Sequence, residues 1–124
     1  MDGVERLYYA LGKLTYAVAK ADGKVSQEER QKLHAIVEKE TQSHNHAINV
    51  SEIIFHIHQK EEIFDENYLY ASAMKEMERC SNYLTEDMKA DFVAVLEKVA
   101  RAFDSVTAGE RSIIERFRKD IDSL

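Results

Sequence analysis

The chain has 124 residues, with 17 Lys+Arg against 23 Asp+Glu and a net charge of −6 when histidine is neutral. It contains no proline, no tryptophan, one cysteine and four glycines, so turn chemistry for an all-β fold is scarce and Cys80 excludes an intramolecular disulfide framework. The length suits one domain, residues 1–124, with a core that stands without staples, and the acidic balance argues against nucleic-acid or anionic-membrane binding.

Apolar residues at Val4, Leu7, Tyr8, Leu11, Leu14, Val18 and Ala21 recur at spacings of three and four, the pattern of one buried helix face. On the opposite stripe lie Tyr9, Gly12 and Tyr16, which suit docking of another helix, and packing within the chain is the favoured reading. Asp22-Gly23 breaks the pattern. Ser26 and Glu29 then form a capping box, opening a second helix that runs to about Glu40. Residues 41–47 are polar and read as a connection, followed by a third helix over Asn49–His58. Asp65 is a candidate N-cap for a fourth helix, along which Leu69, Ala73, Met77, Cys80 and Leu84 align. Thr85 caps a fifth, with Met88, Phe92, Val95, Leu96 and Val99 facing inward. Thr107 and Glu110 form a second capping box before Ile113, Ile114, Phe117 and Ile121. No stretch alternates at period two. The expectation is an all-α bundle of about six helices with short joins.

The two capping boxes are related by an ungapped shift of 81 residues, which also pairs Leu7 with Met88, Leu11 with Phe92, Leu14 with Val95 and Val18 with Val99. Two related helix–hinge–helix units, roughly 4–40 and 85–122, are the economical account. Gly23 sits where the first helix must end, and glycine accepts the left-handed conformation that closes a C-terminus. The run Asp22-Gly-Lys-Val-Ser-Gln-Glu-Glu29 also looks like the second half of an EF-hand loop, but Val18 and Lys20 stand where the first half needs acids. A complete EF-hand is excluded.

Two readings of Asp22 and Glu29 remain open. In one, Glu29 is a capping-box partner and Asp22 a solvated turn residue, a reading favoured by the generality of that motif. In the other, both carboxylates are oxygen ligands for a hard divalent cation. The second hinge is not equivalent: Asp104 falls one position after the residue matching Asp22, which is Phe103, and it stands six residues before Glu110.

The run Lys20-Ala-Asp-Gly-Lys-Val-Ser-Gln-Glu-Glu29, following the helix Leu11–Ala19, resembles the TerB-like (tellurite-resistance B) domain family, and Val99–Glu110 is its degenerate echo. The resemblance implies an all-helical bundle, a stress-associated cytoplasmic role, and acidic hinge residues that bind metal. Carried onto this sequence, those residues are Asp22, Glu29, Asp104 and Glu110, with calcium, magnesium, manganese or zinc as the candidate ions.

Other constellations point less sharply. His56 and His58 lie two apart on a helix and cannot chelate one ion together. The loop pair His44/His46 lacks a third ligand nearby, so the five histidines read as solvated surface residues. No serine elbow, glycine-rich phosphate loop or His-Glu-x-x-His occurs, so neither an enzyme nor an organic cofactor is expected. Cys80, beside Met77 and Leu84, reads as core. Acids at Asp2 and Glu5 replace the bases of a signal peptide, and no stretch approaches about 18 uninterrupted apolar residues. The expected protein is cytoplasmic and non-enzymatic, with an unidentified protein partner, no nucleic acid and no membrane insertion, and compatible with a homo-oligomer. Two functions survive: a metal-responsive binding module, and a metal-independent interaction module whose hinge acids only cap helices.

Overall fold

The structure, a computed structural model, describes residues 3–21, 27, 28, 31, 32, 35, 39, 65–102 and 108–124. Helix α1 spans Gly3–Lys20, with Glu5 in its first turn and Lys20 in its last, each charge suited to the helix dipole. The helix is buried almost all round: Leu7, Leu11, Leu14 and Val18 on one side, and Gly12 and Tyr16 on the other. Among the described residues it packs against each of the helices that follow, most extensively against the one over Glu66–Arg79. The single apolar face expected from periodicity is therefore incomplete. Tyr16 is 1% exposed and Gly12 is buried, so this part of the stripe packs within the chain, in line with the favoured reading, while Tyr9 is only partly buried. Where α1 does reach solvent it carries cations over rings, with Lys13 Nζ 5.2 Å from the Tyr9 centroid and Lys20 Nζ 5.8 Å from that of Tyr16.

Helix α2 spans Glu66–Arg79. Asp65 caps it in extended conformation, its Oδ1 accepting from the Tyr68 amide at 2.8 Å, which satisfies one of the orphan donors of the first turn. The expected continuation to Leu84 is corrected. The α-helix stops at Arg79, Cys80 closes it, and a 3₁₀ turn covers Ser81–Tyr83. The residues beyond Cys80 supply the reason. Ser81 and Asn82 are weak helix formers, and Thr85 must be extended to cap the next helix. Leu84 still reaches the core at 8% exposure, from an extended backbone rather than a helical one. Cys80 is buried, in line with its reading as core.

Helix α3 spans Glu86–Arg101, and the Thr85 hydroxyl accepts from the Met88 amide at 3.1 Å. Phe92, Val95, Leu96 and Val99 are buried as expected, with Met88 half-buried against the same core. The Phe92 ring meets Tyr8 of α1 edge-on at 5.6 Å, the preferred geometry for an aromatic pair. Helix α4 spans Ala108–Asp122 and buries Ile114, Phe117 and Ile121. It is fastened to α2 by a hydrogen bond from the Tyr70 hydroxyl to Asp120 Oδ2, 2.5 Å long. Arg116 lies 4.2 Å over the Tyr70 ring.

The chain is thus all-helical where it is described, with no strand among the described residues. Four helices are seen whole. Residues 27, 28, 31, 32, 35 and 39 are helical and exposed, the spacing of an outer helical face, within the expected second helix. The expected third helix, 49–58, and both hinges, 22–26 and 103–107, lie outside the described residues, so neither the count of six nor the paired hinge units is established. No described helix is long and apolar enough to cross a membrane.

Candidate functional site

Helix α1 ends with the Ala21 amide bonded to the Val18 carbonyl at 3.3 Å, a tightened last turn. The end of α1 meets the start of α4. A Cβ placed on Gly109 would stand 3.2 Å from the Ala21 carbonyl oxygen and 3.5 Å from the Ala21 Cβ. Glycine at 109 is what lets the two backbones approach this closely. Ala21 immediately precedes Asp22, and Gly109 immediately precedes Glu110, so the contact brings the borders of both expected hinges to one place. The electrostatics favour the contact, because the carbonyl end of one helix faces the amide end of another.

Glu110 is the third residue of α4 and is 0% exposed. Among the described residues it is the one charged side chain that is buried; the other buried polar side chain, Thr15, is satisfied by donating to the Gly12 carbonyl at 2.7 Å. A capping-box glutamate ordinarily sits at the rim of its helix, whereas this one lies inside. Burying an ionised carboxylate is costly unless hydrogen bonds, a dipole or a cation compensate it. Glu110 is engaged by neighbours, and the first turn of α4 supplies the positive end of a dipole.

Of the four residues expected to hold metal, Glu110 is placed at this junction. Asp22, Glu29 and Asp104 lie outside the described residues, as do all five histidines. Among the described residues no group of three or more His, Cys, Asp or Glu is gathered to hold a metal ion. What sequence reasoning misses is Gly109. Periodicity marks Gly23 as the hinge glycine and gives Gly109 no distinction, because a close backbone approach between distant segments leaves no local signal.

Among the described residues, concavities open on the bundle surface at two places. One, between α1 and α2, is lined by Arg6, Tyr9, Lys13 and Glu76. Its charged groups are engaged internally: Arg6 lies 3.5 Å from Glu76, and Lys13 donates to the Ser72 hydroxyl at 2.8 Å. The other lies between α3 and α4 and is lined by arginines.

A sequence model of the family described as tellurite resistance protein TerB matches residues 9–121. The chain belongs to the TerB family. Neither a curated protein nor a solved structure matches it significantly. The match runs from the second turn of α1 to the last turn of α4, so it takes in the Ala21–Gly109 junction and both acidic hinges.

Proposed function

We propose that this TerB chain is a non-enzymatic module that binds a divalent metal ion through acidic residues at the junction of its two inter-helix hinges, and so presents a partner-binding face. The observation that carries the reading is the full burial of Glu110 beside the contact between Gly109 and Ala21. A buried carboxylate at the meeting point of two helix ends is a costly arrangement that a cation offsets. Asp22, Glu29 and Asp104 are the proposed companion ligands, because each belongs to a hinge whose border reaches this junction. An ion shared between the hinges would fix the angle at which α1 and α4 meet and shift the population of bundle faces offered to a protein partner. The proposed setting is cytoplasmic, in tellurite-resistance or other stress signalling.

The second reading is a metal-independent interaction module. It is favoured by one feature of the same residue: the third position of α4 is where a capping-box carboxylate belongs. Thermal unfolding of metal-stripped protein separates the two. With calcium, magnesium, manganese or zinc added at a hundredfold excess over the dissociation constant, a native-state site raises stability by about 2.7 kcal/mol. That gain is expected to vanish in Glu110→Gln and to shrink in Glu29→Gln and Asp22→Asn. No shift with any of the four ions sinks the metal reading and leaves the capping one.

A further inference from the structure

A basic groove runs between α3 and α4 on this acidic chain. Its walls carry Arg101, Arg111 and Arg118 with Glu97 and Glu115, its floor is closed by Ala100 and Ile114, and it encloses about 290 Å³. Glu97 reaches across from α3, accepting from Arg101 of its own helix at 3.0 Å and from Arg118 of α4. One carboxylate is therefore already held between two guanidiniums here, which displays the chemistry the groove accepts. Both arginines remain more than half exposed, at 66% and 53%, and each uses one of its five donors on Glu97. Arg111 is exposed on the same groove, and none of the ion pairs among the described residues engages it.

We infer that this groove binds an acidic, extended peptide segment of a partner protein, whose carboxylates pair with Arg111 and with the free edges of Arg101 and Arg118. Length selects a segment over a single ion. Arg111 and Arg118 lie two turns apart on α4, about 10 Å along its axis, which is the span of about three extended residues. Arginine forks match carboxylates in bidentate geometry, and several placed in a row read a series of acids rather than one. Charge complementarity is local: three arginines face two glutamates in this groove, on a chain of net charge −6. The acids of the rest of the surface repel an acidic segment from elsewhere and leave this groove as its landing place.

The inference does not rest on the metal reading, and its test is run in chelator so that the two fail separately. A fluorescein-labelled, end-blocked hexaglutamate peptide is titrated by anisotropy against the whole chain at low and at physiological salt. Binding that weakens at higher salt is expected, with at least a fivefold loss of affinity in Arg111→Gln and no binding of the hexaglutamine peptide. Glu97→Gln removes the internal competitor and is expected to tighten binding, provided its circular dichroism and thermal midpoint match the parent. Equal affinity of Arg111→Gln and the parent overturns the proposal, as does equal binding of the neutral peptide. Competition by inorganic phosphate at the same charge concentration as strong as by unlabelled hexaglutamate reduces the groove to a counter-ion site and also overturns it. Binding to phosphatidylserine vesicles that exceeds peptide binding assigns the surface to a membrane instead and overturns it too.

Discussion

The two ends of α4 each hold a carboxylate, ten residues apart in sequence, and they solve different problems. Asp120, near the C-terminal end, keeps 44% of its side chain exposed. It needs only the Tyr70 hydroxyl and the nearby Arg116 guanidinium, 3.8 Å away, while water completes its shell. Glu110, in the first turn, has no exposure at all and must be compensated from within the protein. The difference teaches that an acid's exposure, more than its identity, decides how much the fold must supply. Asp120 is a fastener between α2 and α4, whereas Glu110 is held wholly inside the fold.

The largest expected effect tests that contrast directly. Glu110→Lys is expected to destabilise the protein by about 3–5 kcal/mol, the scale of leaving a buried charge uncompensated, measured by urea unfolding. Asp120→Lys, at a half-exposed position, should cost far less, and equal costs at the two ends would erase the contrast. Next is Gly109→Val. Its branched side chain must be accommodated where even a Cβ comes within 3.2 Å of the Ala21 carbonyl oxygen. We expect a loss of about 1–3 kcal/mol from overpacking, and a neutral outcome would show that the two helix ends can separate freely.

At the other end of α4, Tyr70→Phe removes a hydrogen bond to a charged acceptor, for an expected loss of about 1–2 kcal/mol. It also carries a pH signature. Burial, then the hydrogen bond and negative charge of Asp120, raise the Tyr70 hydroxyl above its ordinary value, against the opposing pull of Arg116. Because the folded value lies above the unfolded one near 10, the stabilisation is complete below about pH 10 and is lost as the pH rises further. Burial and the charge of Asp91 raise Tyr8 in the same direction. The alkaline fall in stability should therefore be shallower in Tyr70→Phe but still present, as read from thermal midpoints across about pH 9–11. A parent and variant with identical alkaline profiles would remove Tyr70 from the account. A smaller effect is expected of Thr85→Ala at the start of α3, where a solvent-exposed cap to the Met88 amide is lost for about 1 kcal/mol in urea unfolding. That start holds its acids, Glu86 and Asp87, in solvent, so Glu86→Gln and Asp87→Asn should move stability by no more than about 0.3–1 kcal/mol.

Local features are legible in the sequence where a short stretch of chain determines them. Asp65 and Thr85 announce their helices through side chains that bond amides three residues on, and both do so. The inward stripe of α3 comes from spacing alone. The capping-box position of Glu110 is readable, but its burial is not, because burial depends on packing against segments distant in sequence. The all-round burial of α1 is half hidden for a related reason: Thr15, Tyr16 and Gly12 look like a mixed face until neighbouring helices cover them. The end of α2 misleads because Leu84 keeps the helical spacing of its neighbours while reaching the core from an extended backbone. The arginine groove leaves no trace in a scan along the chain, since Arg101 comes from α3 and Arg111 and Arg118 from α4; they line one groove only once the two helices pack, with Glu97 joining Arg101 to Arg118.

The central position of α1 has a consequence for synthesis. It is translated before the helices α2, α3 and α4 that pack on it, which come from residue 66 onward. At about 5–20 residues per second, several seconds separate its emergence from that of α3 and α4. During that interval Leu7, Leu11, Leu14 and Val18 have none of these covers. A nascent chain stalled before α3 would expose them longest, making α1 the segment on which a ribosome-associated chaperone would act.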